Sequence, residues 1–169
     1  MPCRPLAFVV LAAVTAGAAS CGPSVDLATT FNVTSVFTGY YDVGVVNGLN
    51  KLVPSISFKL KNVGPVPVNE VNIVAAFWVN GDDGPLQDYD LPGIGKDAVP
   101  SGAESAPILI RSDIGYTLEQ PRAELFTHSM FRDGTVRLFA KRGGKIVPLG
   151  EFKIDRRIIP HLTQPAGRP

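Results

Sequence analysis

Cysteine is almost missing from this chain. Its two copies, Cys3 and Cys21, both fall within the first 21 residues, so nothing downstream can close a disulfide of its own. Histidine is as scarce, with only His128 and His161. No His-x-x-x-His, no cysteine pair, no phosphate-cradling glycine loop and no nucleophile elbow occurs, so zinc, nucleotide and hydrolase chemistry have no sequence support. A Ser-His-Asp set drawn from Ser129, His128 and Asp133 would ask sequence neighbours to meet in a geometry that such neighbours rarely adopt. Long apolar runs are also absent. The longest, residues 6–14 (LAFVVLAAV), falls well short of the about 20 residues that a spanning helix requires. Net charge is only +1, which excludes a strongly basic or acidic protein as a whole.

What the first residues do contain is ordered. Arg4 and the amino terminus supply positive charge, residues 6–14 an apolar core, and residues 15–20 the small side chains that a signal peptidase accepts. The run Ala18-Ala19-Ser20-Cys21 closes the segment. It resembles the lipobox of bacterial lipoproteins, with Ala18 standing where that family prefers leucine. The resemblance implies diacylglycerol transfer to the Cys21 thiol, cleavage before Cys21, export and anchoring to the cell envelope, at the outer membrane if the host has two membranes. Cleavage after Ala18, or retention of residues 6–20 as an anchor, are the alternatives. The expected organisation is a leader over 1–20, a tether over 21–29, a β-sandwich over 30–159 and a tail over 160–169. An anchored, exported chain has the membrane and an envelope protein as expected partners and no nucleic acid.

Between those ends, glycine and proline punctuate short apolar runs, the pattern of a turn-rich β protein. Residues 55–61 alternate Ile56, Phe58 and Leu60 with Ser57, Lys59 and Lys61, the period of two that puts one set on a core. Residues 71–79 form a second strand whose outer set, Asn72, Val74, Ala76 and Trp78, is unusually apolar. Residues 31–41 suit a strand by composition, and Asn47-Gly48 predicts a tight hairpin between 43–46 and 49–53. Further strands are expected at 106–111, 135–141 and 145–154, the last at an edge or carrying a bulge because of Pro148 and Gly150. One short helix is expected at 121–129. About seven strands punctuated by turns predict an all-β, antiparallel sandwich of the immunoglobulin type. The stretch from Ile56 to Phe77, with Asn62-Val63-Gly64 between its two strands, resembles immunoglobulin-like domains of cell-surface and periplasmic proteins. The resemblance implies architecture and leaves activity open.

Charge is unevenly spread. Residues 80–104 carry six acids against Lys96 alone, and residues 132–157 carry eight basic side chains against three acids. The acids at 82, 83, 88, 90 and 97 do not follow an EF-hand spacing, so a solvated loop is preferred over a calcium site. Arg137, Lys141, Arg142 and Lys145 would form a basic hairpin that either contacts an anionic partner or protects a sheet edge. Trp78, Tyr40 and Tyr41 are the aromatic candidates for a protein interface or a carbohydrate platform. No cofactor and no catalytic set is expected. The expected function is a non-catalytic envelope protein that mediates protein–protein contact, with a carbohydrate-binding module as the alternative and an envelope enzyme third.

Overall fold

The computed structural model describes residues 26–160; the leader, Cys3, Cys21, His161 and the rest of the tail lie outside the described residues. A four-residue helix, α1 (Leu27–Thr30), precedes nine strands: β1 (Phe31–Val46), β2 (Leu49–Asn62), β3 (Val71–Val79), β4 (Gln87–Ile94), β5 (Ile108–Arg111), β6 (Tyr116–Leu118), β7 (Gly134–Arg142), β8 (Lys145–Lys153) and β9 (Ile158–Ile159). They form two sheets. One runs β5-β2-β1-β9, with β6 also paired to β2, and the other runs β4-β3-β7-β8. All pairings are antiparallel except β9, which lies parallel to β1. The chain therefore crosses between layers four times, after β2, β4, β6 and β8. This is an all-β, two-sheet sandwich, as the strand spacing predicts.

Alternation along each strand builds the core. Ile56, Phe58 and Leu60 of β2, Ile73, Ala75 and Phe77 of β3, and Val136, Leu138 and Ala140 of β7 are all fully buried between the sheets. Complete burial of one such aliphatic or aromatic side chain contributes about 1.5–3 kcal/mol. Asn47 and Gly48 both take positive φ, 53° and 82°, which gives the β1–β2 hairpin the turn whose twist matches its strands. At the edge of its sheet, β8 carries an irregularity opposite Leu138 and Phe139, next to Pro148 and Gly150. Both features expected of it are present.

Four local expectations are corrected. Residues 26–29 are folded and not part of a tether: the Asp26 carboxylate accepts from the Ala28 N–H, and Leu27 is buried in the core. Residues 87–94 are a strand, not a solvated loop. Tyr89 and Leu91 pack inward between exposed Asp88, Asp90 and Pro92, and those three poor strand formers hide the alternation. The short helix exists but is a 3₁₀ helix, Arg122–Thr127, and α1 makes it the second helical element rather than the only one. Finally, β6 and β9 are short strands that borrow their order from β2 and β1; segments of three and two residues have no periodicity to read.

The sandwich has two poles. Asp26, the β2–β3 loop and the β7–β8 turn lie at one end, where Asn72 pairs with Lys141 and Phe31 with Asn62. The Asn47-Gly48 turn, the β3–β4 turn and the 112–133 segment lie at the other, where Val79 pairs with Gly134 and Val46 with Leu49.

Candidate functional site

The structure divides the sequence-derived candidates into three groups. Arg137, Lys141 and Trp78 come together on the outward face of the β4-β3-β7-β8 sheet. There Val74 pairs with Phe139, Ala76 with Arg137 and Trp78 with Thr135, so an apolar strip formed by Val74, Ala76, Trp78 and Phe139 runs across two central strands. Arg142 and Lys145 flank the β7–β8 turn at the Asp26 pole. Tyr40 and Tyr41 are buried, at 2% and 5% exposure, and do not offer a surface. Neighbouring residues of a strand point to opposite sides, so Tyr40 enters the core and Tyr41 lies on the outer side of its sheet. Composition cannot reveal that both sides are covered there.

The basic hairpin is largely neutralised from within. Arg137 Nε donates to Glu151 across the β7–β8 pair at 2.6 Å, and its guanidinium lies 4.5 Å over the Trp78 ring. Lys141 bonds to Asp90 of β4, which also accepts from Asn72 Nδ2 at 2.7 Å. Those two hydrogen bonds hold the Asp90 carboxyl below the usual range. Arg142 donates to the Asn69 amide oxygen at 3.2 Å. Lys145 makes no ion pair among the described residues. The acids that the sequence groups into one run are thus spread along a strand and several turns. Among the described residues, no three of His, Cys, Asp and Glu approach as a metal-ligand set.

At the Asn47 pole the 112–133 segment folds over the sandwich end. Tyr40, Tyr116, Phe126 and Phe131 pack with ring centroids 5.3–6.0 Å apart, mostly edge to face or tilted. Burial pushes the Tyr40 phenol upward, with the charges of Tyr116 and Asp133 adding to the shift, so it stays neutral. Beside this cluster, Trp78, Met130, Arg132 and Tyr116 line a cavity of about 150 Å³. The Trp78 indole Nε1 is buried with no hydrogen-bond partner among the described residues. Met130 is 72% exposed at its mouth, and Val45, at 65%, projects from the nearby hairpin. A larger groove of about 420 Å³ lies in the half nearer the Asn47 pole, lined by β1, β2 and β5 of the five-stranded sheet and by Tyr89 and Leu91 of β4, an edge strand of the other sheet. Sequence reading misses it. Its walls come from β1, β2, β4 and β5, and no spacing in a linear sequence brings four strands to one place.

His128, Ser129 and Asp133 form no triad. The His128 Nδ1 accepts from the Met130 N–H at 3.2 Å, whereas Asp133 takes two hydrogen bonds from Arg156 at 2.8 and 2.9 Å. This fork holds the Asp133 carboxyl below its usual range. Because the folded-state value is depressed, its stabilisation is complete above the unfolded value of about 4 and is lost as pH falls through the folded one. Asp133→Asn should therefore flatten the acid limb of melting temperature against pH below about 4 while changing the neutral plateau less. Parallel acid limbs in the two proteins would refute the assignment.

Comparison of the chain with protein-family models, with curated proteins and with solved structures finds no match.

Proposed function

We propose that this chain is a non-catalytic, lipid-anchored protein of the bacterial cell envelope that binds a protein partner through the Asn47 pole of its sandwich. The observation that carries the reading is the polarity of the domain. Only residues 22–25 separate Cys21 from Asp26. Five extended steps reach at most about 18 Å, so a lipid on Cys21 would hold the Asp26 pole against the bilayer. The opposite pole would then face outward. Among the described residues, that pole carries the two most exposed large apolar side chains, Met130 and Val45, and both cavities lie in its half of the domain.

Binding is favoured over catalysis by what lines those cavities. Each has a single carboxylate, Asp113 in one and Asp82 in the other, and neither has a histidine. A carbohydrate platform would need open aromatic faces. Here Tyr40 and Tyr41 are buried and the Arg137 guanidinium covers the Trp78 ring.

Two measurements test the proposal. Mass spectrometry of the mature amino terminus should find acylated Cys21, and an unmodified start at Ala19 would remove the anchor. A photocrosslinking residue at Met130 or Val45 of the membrane-bound chain should capture one protein in stoichiometric yield, while the same residue at Ile146, near the Asp26 pole, should capture none. Capture from Ile146 alone would overturn the assigned polarity.

A further inference from the structure

The groove of about 420 Å³ lined by strands of both sheets holds two cations, Lys51 and Arg111, among apolar side chains. Along β2, Lys51, Val53 and Ser55 point to the outer side of their sheet, opposite the inward set of Ile56, Phe58 and Leu60. Val53 pairs with Tyr41 of β1, and Ser55 pairs with Arg111 of β5. Lys51 and Arg111 thus bracket Val53, and both line the groove. Val43, Val53, Leu91 and Leu109 supply apolar wall, and Tyr41, Tyr89 and Ser112 line it as well. The one acid is Asp113, whose carboxylate accepts from Gln87 Nε2 at 3.4 Å.

Arg111 is set apart from the other described arginines by what it lacks. Arg122, Arg132, Arg137, Arg156 and Arg157 each pair with a carboxylate, and Arg142 bonds to Asn69. Arg111, in contrast, joins no ion pair and no hydrogen bond of its side chain among the described residues, and Lys51 joins none either. Arg111 is held all the same: its guanidinium lies 4.3 Å over the ring of Tyr41. Stacking uses the face of the guanidinium and leaves its N–H fork, which lies in the plane, to meet a ligand. An oriented arginine whose donors are unused, a second cation on the neighbouring strand and aliphatic walls between them match an amphipathic anion. The groove volume falls within the range of small-molecule sites, about 300–1,000 Å³.

We infer that this groove is a binding site for a small organic anion, a carboxylate or phosphate head on an apolar body, with Arg111 and Lys51 taking the head and Val53, Leu91 and Leu109 the body. The inference stands on the groove alone and does not require the lipid anchor or a protein partner.

Isothermal titration of the full chain with phenylacetate, phenyl phosphate, acetate, inorganic phosphate and neutral 2-phenylethanol tests it. The phenyl anions should bind at least tenfold more tightly than 2-phenylethanol, which lacks the charge, and than acetate or phosphate, which lack the body. The stronger of the two phenyl anions identifies the head. Arg111→Gln and Lys51→Gln should each weaken that binding at least tenfold, and Lys145→Gln, remote from the groove, should not. Lys51→Gln leaves the Arg111–Tyr41 stack in place, so it reports on the cradle even if Arg111→Gln loosens the strand. Equal affinity for 2-phenylethanol and the phenyl anions would overturn the inference. So would affinity unchanged in both variants, or acetate and phosphate binding as tightly as the phenyl anions.

Discussion

Replacing Asn62 with alanine should destabilise the domain by about 3 kcal/mol, because it strands three backbone groups at about 1 kcal/mol or more each. Asn62 is completely buried at the end of β2. Its amide nitrogen donates to the Val66 carbonyl at 2.8 Å and to the Val99 carbonyl at 2.9 Å, and its Oδ1 accepts from the Gly64 N–H at 2.9 Å. One side chain therefore ties the β2–β3 loop to the segment that leads into β5. Asn62→Asp is expected to be worse at neutral pH. A carboxylate retains the bond to Gly64 but turns negative oxygen toward two carbonyls that need a donor. Urea unfolding of the wild type and both variants checks this, with Asn32→Ala as the exposed control. A loss under 1 kcal/mol in Asn62→Ala would mean that water replaces the side chain without cost.

Phe77→Ala should cost more, about 4 kcal/mol, the usual range for removing a fully buried aromatic ring. Phe77 lies on the inward face of β3 with no exposed surface and meets the ring of Tyr89 edge to face at 6.0 Å. Tyr89 in turn presents its hydroxyl to the Asp113 N–H, at the rim of the 420 Å³ groove. Loss of the Phe77 ring should thus loosen a wall of the groove as well as the core. Phe77→Leu restores most of the volume and should recover most of the stability, since volume-conserving exchanges usually cost under about 1.5 kcal/mol. Denaturant midpoints for the three proteins decide the matter. Equal losses in Phe77→Ala and Phe77→Leu would show that ring shape rather than volume is what the site demands.

The parts of the fold legible in sequence are those set by local chemistry. Asn47-Gly48 marks a turn because both residues tolerate positive φ, and both adopt it. Alternation over 55–61 and 71–79 identifies inward and outward faces because a strand has a period of two, and the buried sets match. Asn62-Val63-Gly64 is visible as a turn, whereas its role as a buried clamp depends on Val99, which reaches it only through the fold. β4 escaped because Asp88, Asp90 and Pro92 are poor strand residues. They are tolerated at an edge, where the outward positions meet water and Lys141 supplies a counter-charge.

The candidate sites divide in the same way. Residue types on one hairpin can be listed from sequence, but whether a charge is available depends on what lies opposite. Arg137 and Lys141 are consumed by Glu151 and Asp90, whereas Arg111, an unremarkable end of a four-residue strand, keeps its donors. Sequence by itself determined the all-β sandwich, the turns and the inward faces, because backbone dihedrals and side-chain alternation act between near neighbours. Tertiary structure alone decided which charges are paired, which aromatics are covered and where a groove opens. Those properties belong to contacts between distant strands, and a contact has no address in a linear chain until register and layer order bring its two sides together.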